Sequence, residues 1–424
     1  MARELPDPRV QHGVSRRTLL AGAGMLVGAG ATCGTSGSAA ESMRQVMADV
    51  VVVGGGTGGT VAAIQAGRLG AKTLLVESGS QLGGTMTTGG VTFPGLFCAW
   101  GRQIIAGIGW ELVHATAQLQ GDPLPDFSQS VWPALQQHPR FQVRISGGLY
   151  AALAEEACVE AGVALRYYEF PLAAQRAADG WVLRLAGKGT QVAVHCRQLI
   201  DCTGNASVVA LAGLPRLREE ETQPGSIVFT LSPPGRSELY VLGADSSTSE
   251  SHSAANIEGR KRFLEHFRAL RSREEGQPVK LADLRPETAV RETYRIVGQT
   301  TISKDDFESG RRFADAVAYA YYPIDLHTSA GVRPQHLQEG TVPTIPLGAL
   351  VPQGSEHLLV AGRCVSSDRL ANSALRVQAS CMAMGQAAGA AAVLAHRLGV
   401  TPAAVPLDAI RRTLQEHAAI VPEP

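Results

Sequence analysis

The segment from residue 49 to residue 77 constrains the fold more strongly than any other part of the chain. A run of valines leads into a glycine-rich turn, an alanine-rich stretch follows, and a second apolar run ends at Glu77. Gly54 permits a tight turn, Gly56 lets the backbone approach a pyrophosphate, and Gly59 lets a helix pack closely on the preceding strand. The segment therefore predicts a strand, a turn, a helix and a second strand, which is the start of a parallel sheet.

Glu77 suggests a chemical function for this unit. It lies 18 residues beyond Gly59, where the ribose hydroxyls of a dinucleotide need an acceptor. The phosphates would meet the N-terminus of the helix, where N–H groups without helical partners point at anions. A glycine-rich turn with a purely structural purpose is the alternative. Two strands, a helix and a carboxylate in this order favour a dinucleotide site.

The first 40 residues are typical of an export signal rather than of a folded segment. Arg16 and Arg17 precede two leucines and a mildly apolar run, which ends in small residues at Ala39 and Ala40. This arrangement is typical of a twin-arginine signal with a peptidase site before Glu41. The alternative is a basic N-terminus on a cytoplasmic protein. We expect export to the periplasm through the twin-arginine machinery and a mature chain of 384 residues.

This export route favours a flavin over a nicotinamide in the predicted dinucleotide site. Twin-arginine cargo folds and takes up its cofactor before it leaves the cytoplasm, which suits a tightly bound dinucleotide. Free nicotinamide cofactors are not expected outside the inner membrane. We therefore expect a resident FAD.

Composition and residue spacing exclude several functional classes. The formal net charge at pH 7 is zero, and no basic tract indicates a nucleic-acid partner. No apolar run after the first 40 residues is long enough to span a bilayer. The cysteines beyond that point show neither a C-x-x-C pair nor a zinc-type spacing with histidine, at positions 98, 158, 196, 202, 364 and 381. We expect buried thiols and no metal site, with disulfides as the alternative that a periplasm permits.

The chain is predicted to have four sections. Residues 1–40 are the signal, residues 47–215 the first part of a Rossmann-like FAD-binding domain, and residues 351–424 its C-terminal part. Between them, residues 216–350 form an inserted α+β domain that we expect to cover the flavin and contact the substrate. Periodicity predicts helices at 147–162, 246–275 and 374–398, and a meander of strands at 163–170, 181–185 and 191–194.

Several segments taken together resemble a known family of flavoproteins. They are the turn at 54–59 and the sequences LGGT at 82–85, IDCTG at 200–204, RETYRIVG at 291–298, YPIDLH at 322–327 and GR at 362–363. Over residues 48–395 the chain resembles FAD-dependent oxidoreductases of the glutathione-reductase-like type, which are distantly similar to the flavoprotein subunits of fumarate reductase and succinate dehydrogenase. The resemblance implies an α/β fold with a Rossmann-like FAD-binding domain, a β-meander and an inserted substrate domain. A shared fold does not identify a substrate.

The resemblance also implies which residues hold FAD. It assigns the pyrophosphate to Gly54, Gly56 and Gly59, the adenosine ribose to Glu77, and the ribityl chain with the flavin to Gly83, Gly84 and Thr85. Thr203 and Gly204 form the second adenine-side turn, and Gly362 and Arg363 form the C-terminal flavin motif. In the last motif a helix near 374–377 points its positive end at the flavin edge that gains charge on reduction. A flexible loop at 83–84 and an ordinary strand end at 203–204 are the alternatives. Many relatives have a histidine where this chain has Asp368.

Arg291, Glu292 and Arg295 form the densest charged cluster of the predicted insertion. On a helix, Arg291 and Arg295 would share one face, and two guanidinium groups there could bind a substrate carboxylate. The alternative is an ion pair in which Glu292 braces the insertion, because buried charges are usually paired. Both arginines are candidate catalytic residues.

His327 is the third candidate catalytic residue. Histidine titrates near neutral pH, which suits a proton carrier beside a hydride-transfer centre, and the nearby Tyr321 and Tyr322 could form a substrate wall. A structural histidine is the alternative. Asp325 is a candidate orienting partner, although neighbouring side chains on an extended segment point to opposite sides.

The chain has no second G-x-G-x-x-G turn after a strand and no redox-active cysteine pair, which argues against a pyridine-nucleotide disulfide reductase. We predict a periplasmic FAD enzyme that transfers hydride between flavin and a small organic substrate, with an electron carrier or oxygen completing the cycle. The alternatives are a flavin-binding accessory or electron-carrier protein without turnover of its own and a protein in which FAD is structural. Substrate, reaction direction, oligomeric state and the covalent or non-covalent attachment of FAD stay open.

Overall fold

The computed structural model describes residues 43–125, 142–273 and 279–423, and the predicted signal at 1–40 lies outside them. The chain from Met43 onward forms one compact unit. In the described residues the α-helices, α1 to α9 in chain order, are Thr57–Arg68, Ile108–Gln120, Gly147–Glu160, Ser207–Leu211, Ser249–Arg271, Lys304–Ser309, Arg369–Leu375, Gln378–Leu398 and Leu407–Glu416. The strands of the same residues, β1 to β18, are Arg44–Val53, Thr73–Glu77, Cys98–Ala99, Arg102–Gln103, Ala164–Tyr167, Glu169–Ala177, Gly180–Gly187, Thr190–Asp201, Arg216–Leu217, Gly225–Ser232, Gly235–Val241, Lys280–Leu284, Arg295–Ile296, Ala316–Tyr319, His327–Thr328, Gly331–Val332, Thr344–Pro346 and Leu358–Val360.

The largest sheet is mixed and has the strand order β5-β2-β1-β8-β7-β6. Strand β1 pairs in parallel with β2 and β8, and β2 pairs in parallel with β5. The valines from Val50 to Val53 are all buried, so both faces of the sheet are covered there, as a continuous apolar strand predicts. The predicted βαβ unit at 49–77 is confirmed.

Strand β8 joins the parallel sheet to the antiparallel meander. Its first residues pair with β7, and β7 pairs with β6. Its last residues pair in parallel with β18, so a strand from the C-terminal section completes this sheet. The segment predicted as one strand at 163–170 is divided, because β5 lies beside β2 whereas β6 belongs to the meander. Tyr168, at a φ of 59°, separates them.

Helix α8 packs closely on α1 because glycines face the contact. A Cβ on Gly385 would lie 2.1 Å from the carbonyl oxygen of Gly58, and one on Gly389 would lie 2.5 Å from that of Ala62. Nearly all residues of α8 are buried. The small side chains thus let two backbones approach at the centre of the core.

The helix predicted at 374–398 is interrupted. Helices α7 and α8 are separate and meet at 89°, with Arg376 and Val377 at the break. Among the described residues no single helix is long and apolar enough to cross a membrane, and only this bent pair, taken together, has the necessary length and composition.

The predicted insertion, residues 216–350, contains two kinds of structure. Strands β10, β11 and β12 form an antiparallel sheet that shares a separate core with α5. The helix predicted at 246–275 is confirmed as α5. Residues from Ile302 to Leu350, by contrast, contribute to the large core that also contains α1 and α8.

Candidate functional site

The carboxyl ends of four parallel strands meet at one cavity. Val53 ends β1, Glu77 ends β2, Cys202 follows β8 and Gly362 follows β18, and all four line a space of about 1100 Å³. Ligands of open α/β sheets bind at this edge. Most of the sequence-predicted site residues also line it, namely Gly54, Gly56, Gly83, Gly84, Thr85, Thr203, Gly204, Arg291, His327 and Arg363. Gly59 and Arg295 do not belong to the lining.

The glycines of the first turn have different structural reasons. Gly54 has a φ of +101°, and a Cβ there would lie 2.4 Å from the carbonyl oxygen of Cys202. A Cβ on Gly59 would lie 1.8 Å from the carbonyl oxygen of Gly54, so Gly59 permits the turn and helix to pack together. Gly56 is the opposite case, because a Cβ there would meet no atom within 4 Å. Its open side faces the cavity at the start of α1, whose first turn carries no acidic residue.

Glu77 connects the first glycine turn to the segment that follows β2. Its Oε2 accepts a hydrogen bond of 2.6 Å from the Gly55 N–H, and its Oε1 accepts one of 2.6 Å from the Gly79 N–H. The carboxylate is thereby fixed at the end of β2 while it still lines the cavity. This is the position at which the sequence predicts an acceptor for ribose hydroxyls.

The second glycine stretch lies directly against the first. Gly83 and Gly84 have φ values of +100° and +51°, and the Gly83 N–H donates to the carbonyl oxygen of Gly55 at 2.8 Å. A Cβ on Gly84 would lie 3.0 Å from the Cα of Gly56. The stretch that ends in Thr85 is therefore part of the same wall rather than an independent flexible loop.

The turn at Thr203 is organised by a buried carboxylate. Asp201 accepts hydrogen bonds from the backbone N–H and hydroxyl of Thr203 and from the backbone N–H groups of Val208 and Val209. Burial raises the pKa of Asp201 although these hydrogen bonds oppose the shift. The hydrogen bonds to Asp201 thus hold the turn in place. Gly204, at a φ of +72°, adopts the left-handed conformation that follows Thr203.

Arg363 links the C-terminal section to the rest of the cavity wall. Its Nε donates to the carbonyl oxygen of Gly204 at 2.9 Å, and its Nη2 donates to Asn205 Oδ1 at 3.0 Å. Its Nη1 donates to the carbonyl oxygen of Val290. Burial lowers the pKa of this guanidinium. Arg363 therefore holds three chain segments in position around the cavity.

The predicted pairing of Arg291 with Arg295 on one helix face is wrong. Residues 289–294 lie outside helices and strands, and Arg295 begins the short strand β13. Arg291 lines the cavity, where its Nη1 donates to the carbonyl oxygen of Pro224 at 2.9 Å and to Ser226 Oγ at 2.8 Å. The two arginines are close in the sequence, but they do not share a helix face in the structure.

Arg295 forms a buried ion-pair cluster. It lies 3.2 Å from Glu292 and 2.6 Å from Glu219. Arg369, in α7, contacts the same Glu292 at 3.1 Å, and the Gln223 N–H donates to it at 2.9 Å. The structure therefore has the alternative that the sequence offered, an ion pair in which Glu292 braces this region. Arg295 lies away from the cavity.

His327 lies in a chain of hydrogen bonds at the cavity. Its Nε2 is 2.9 Å from Asp325 Oδ2, and its Nδ1 is 2.6 Å from Tyr240 Oη. The expected divergence of the Asp325 and His327 side chains is wrong, because residues two apart on an extended segment point to the same side. Tyr240 comes from β11 and carries no sequence signal that connects it to His327.

Arg376 is the main site residue that the sequence analysis missed. It lies at the break between α7 and α8 and lines the cavity. Its Nη2 donates to the carbonyl oxygen of Asp325 at 3.2 Å and to Gln223 Oε1 at 3.3 Å. Burial, followed by the charge of Arg291, lowers the pKa of Arg376 to about 10. The sequence signal for it was its position in the helix predicted at 374–398, whose start was expected to point at the flavin.

The strand edge, the two glycine turns and the fixed carboxylate define a dinucleotide-binding α/β protein. The model of the family described as FAD dependent oxidoreductase matches residues 49–237 and 219–414. The chain belongs to this family. It is an FAD-dependent oxidoreductase, and the glutathione-reductase-like subtype stays a prediction.

Individual proteins are similar to this chain over a short segment or at low sequence identity. Mitochondrial dihydrolipoyl dehydrogenase of Caenorhabditis elegans is 63% identical over 38 residues, which are 9% of this chain and 8% of that protein. OxyS anhydrotetracycline hydroxylase from Streptomyces rimosus is 14% identical, with a TM-score of 0.45, over 88% of this chain and 66% of its own. p-Nitrophenol 4-monooxygenase PnpA from Pseudomonas putida is 13% identical, with a TM-score of 0.43, over 88% and 84%.

The residues of the cavity fit FAD. The open side of Gly56 and the N-terminus of α1 would receive the pyrophosphate, and Glu77 would accept from the ribose. Gly83, Gly84 and Thr85 line the part of the same wall along which the ribityl chain and flavin would lie. Gln378, the first residue of α8, adds a buried Oε1 atom that has no hydrogen-bond partner in the protein.

Proposed function

We propose that the protein is an exported oxidoreductase that exchanges a hydride between its flavin and a small organic substrate. FAD, when bound, supplies the two-electron redox chemistry. The observation that carries the proposal is the hydrogen-bonded set of Tyr240, His327 and Asp325 beside the cavity that contains the glycine turns. A flavin that served only structure or electron transfer would not need a proton-handling group there.

His327 can hold and release a proton at Nδ1. In the neutral ring, Nε2–H donates to Asp325 and Nδ1 accepts from the Tyr240 hydroxyl. When Nδ1 takes up a proton, Tyr240 becomes the acceptor and the Asp325 carboxylate balances the new charge. Burial is the largest cause of a raised pKa at Tyr240, so its hydroxyl stays protonated. These three residues can therefore supply or remove the proton that accompanies a hydride transfer.

Turnover is tested with purified holoenzyme. Denaturation should release FAD, and one class among hydroxy acids, amines and carbohydrates should bleach the flavin anaerobically. In the reverse direction, an unsaturated acid should reoxidise dye-reduced enzyme. If no compound changes the flavin in either direction, the accessory or electron-carrier function replaces the enzymatic one.

A pair of histidine variants tests the proton-handling group. His327→Gln should retain FAD but slow bleaching by at least tenfold, because Asp325 and Tyr240 then have no titratable group between them. His195→Gln is the matched control, since His195 contacts Gln45 and does not line the cavity. Equal rates for the two variants would assign His327 a structural function.

Export is proposed from the paired arginines at the start of the chain. The mature protein is expected in the periplasm with Glu41 as its first residue, and a soluble electron carrier or oxygen would then complete the cycle. Replacing both Arg16 and Arg17 by lysine should retain the precursor in the cytoplasm. Cell fractionation with N-terminal mass analysis checks this, and an unprocessed cytoplasmic protein from the unaltered gene would contradict it.

A further inference from the structure

Arg376 has a buried donor that no protein acceptor satisfies. Its Nε is enclosed and has no hydrogen-bond partner, while Nη2 contacts Asp325 and Gln223. The distance from Nη2 to Asp325 Oδ2 is 3.6 Å, which is too long for a good hydrogen bond. Buried charged groups are normally paired and hydrogen-bonded. The guanidinium therefore lacks an acceptor on the side of Nε.

Gln223 provides a second unsatisfied donor beside the first. Its Oε1 accepts from the His327 N–H at 3.1 Å and from Arg376 Nη2 at 3.3 Å. Because both partners are donors, the orientation of the amide is fixed and Nε2 is the free group. The side chain is fully buried, and this Nε2 has no partner. Two buried donors that lack acceptors thus lie at adjoining side chains.

Arg291 adds positive charge at the same place. Its hydrogen bonds go to the neutral Pro224 carbonyl and Ser226 hydroxyl, and its nearest carboxylate oxygen, on Glu238, is 3.4 Å away. Pro224, which accepts from Arg291, directly follows Gln223, which accepts from Arg376, so one short segment places both guanidinium groups at the same part of the cavity wall.

The acidic groups at this place are already shared. Asp325 Oδ2 is bonded to His327, and Glu238 is divided between Arg291 and Arg236, each at 3.4 Å. Neither carboxylate contacts Arg376 Nε. A bound anion on the cavity side of the two arginines would supply further counter-charge and reduce the repulsion between the guanidinium groups.

An aromatic wall adjoins the charged groups. Phe93 and Tyr322 line the cavity with their ring centroids 6.4 Å apart, and the guanidinium of Arg144 lies 5.4 Å from the Phe93 centroid. Tyr322 is three residues before Asp325, and Val377 follows Arg376. A Cβ on Gly95 would lie 3.2 Å from the Cβ of Val377 and 3.9 Å from Cδ2 of Tyr322, so this aromatic ring lies close to the segment that carries Arg376. The two rings are inclined by 51°, so the cavity combines aromatic walls with a cationic end, which suits a planar body carrying an oxyanion.

We propose that the substrate is a planar organic anion, with its carboxylate or equivalent oxyanion bound by Arg376 and Arg291 and its body against Phe93 and Tyr322. This substrate class rests on the proposed hydride-transfer function. Gln223, which is fully buried behind the cavity wall, positions the Arg376 guanidinium. Arg376 thus takes the anion-binding part that the sequence assigned to Arg295.

The charge of the ligand can be tested on the unaltered holoenzyme. Benzoate, its neutral analogue benzamide, and acetate would be titrated while the flavin absorbance and the unfolding temperature are followed. Benzoate should perturb the flavin spectrum and raise the unfolding temperature, with benzamide and acetate each binding at least tenfold more weakly. Benzamide binding as tightly as benzoate would overturn the proposal, and so would the absence of benzoate binding.

Arginine variants identify the binding residues. Arg376→Gln and Arg291→Gln should each weaken benzoate binding at least tenfold, whereas Arg412→Gln, at an exposed residue outside the cavity, should leave it unchanged. Two independent variants keep the test valid if one of them does not fold. If Arg376→Gln instead shifts the flavin reduction potential without ligand and leaves benzoate affinity unchanged, Arg376 contacts FAD and the proposal is wrong.

The proposed anion site and the proposed hydride transfer can be disproved independently of each other. Benzoate binding that depends on Arg376, together with no flavin reduction or reoxidation by any compound, would support the anion site and overturn the proposed hydride transfer. Turnover of neutral compounds without anion binding would support the hydride transfer and overturn the anion site.

Discussion

Gly54 and Gly56 show that two glycines of one turn are required for different reasons. Gly54 has a positive φ, and its missing side chain makes room for the protein's own backbone at Cys202. Gly56 has a φ of −62° and a ψ of 177°, which other residues adopt readily, and its missing side chain leaves open space. The first glycine is needed by the fold and the second by the ligand.

Alanine substitutions should separate these two requirements. Gly54→Ala should lower the free energy of unfolding by about 1–3 kcal/mol because of backbone strain and the close contact with Cys202, and it should also lose FAD. Gly56→Ala should retain the unfolding free energy of the apoprotein but lose most of its FAD. The measurements are urea unfolding of the apoproteins and the flavin-to-protein ratio after purification. Gly148→Ala, at a helical glycine with open space around it, should keep the FAD content and raise the free energy of unfolding by at most about 1 kcal/mol. A Gly56→Ala protein with full FAD content would disprove the assignment.

Asp325 should make the protein sensitive to acid. Burial opposes ionisation of its carboxyl, but the hydrogen bond from His327 and the charges of Arg376 and Arg291 outweigh it, so the pKa is lowered. The unfolded pKa is about 3.9, and the folded value lies below it. The stabilisation is therefore present above about pH 4 and is lost as the pH falls through the folded pKa.

Asp325→Asn should lower stability at neutral pH and flatten the loss of stability below about pH 4. Urea midpoints measured across this range for both proteins check the expectation. Asp179→Asn, at an exposed carboxylate, should lose stability below about pH 4 in the same way as the unaltered protein. If Asp325→Asn lost stability below about pH 4 as steeply as the unaltered protein, the lowered pKa of Asp325 would be contradicted.

At the level of elements, the break between α7 and α8 determines the charged end of the cavity. Asp368 caps α7 by accepting from the Ala371 N–H at 2.8 Å, and the Ala379 N–H in the first turn of α8 donates to the carbonyl oxygen of Pro94 at 2.8 Å. The first bond stabilises the start of α7 and the second the start of α8. Arg376 still has helical dihedral angles and donates its N–H to the carbonyl oxygen of Asn372, whereas Val377, with a ψ of 147°, turns the chain, so α7 ends with Arg376 at the cavity.

Glu292 joins β13 to α7 and should contribute strongly to stability. It is 2% exposed and accepts from both Arg295 and Arg369. Glu292→Gln should cost about 3–5 kcal/mol, because it leaves two guanidinium groups without their shared counter-charge. Urea unfolding provides the measurement. Glu258→Gln removes the exposed partner of Arg262 and should cost less than about 1 kcal/mol, and a similar loss in both variants would show that the cluster is not effectively buried.

At the level of the whole molecule, distant parts of the chain close one core. Strand β18 completes the sheet that starts with β1, and α8 packs on α1 from the opposite end of the sequence. Six cysteines lie buried and unpaired in the described residues: Cys98, Cys158, Cys196, Cys202, Cys364 and Cys381. This arrangement agrees with the expected buried thiols.

The buried thiols should be inert in the folded enzyme. Burial raises the pKa of Cys98, Cys158, Cys196 and Cys381 to about 12, which suppresses the reactive thiolate. A chromogenic thiol reagent at mildly alkaline pH should react slowly with native protein and with all six of these cysteines after denaturation. Fewer than six reactive thiols in the denatured mature protein would reveal a disulfide.

The sequence by itself determined the features that depend on local geometry. The glycine turn at Gly54, the carboxylate at Glu77 and the βαβ order follow from dihedral angles and periodicity within a few dozen residues. The family follows from several such segments in a fixed order. The predicted positions of α3 and α5 agree with the structure for the same reason.

Only the tertiary structure decided which charged side chains share the cavity. Arg295 turned towards Glu292 and Glu219, whereas Arg376 came to lie beside Arg291 and Asp325. Glu292 is three residues from Arg295 and was the alternative partner in the sequence, but Glu219, Arg291 and Asp325 are distant in sequence from the arginines they lie beside. The break next to Arg376 also depends on a contact from another segment. Side-chain pairing of this kind is set by where elements pack and not by residue spacing, so no local pattern could reveal it.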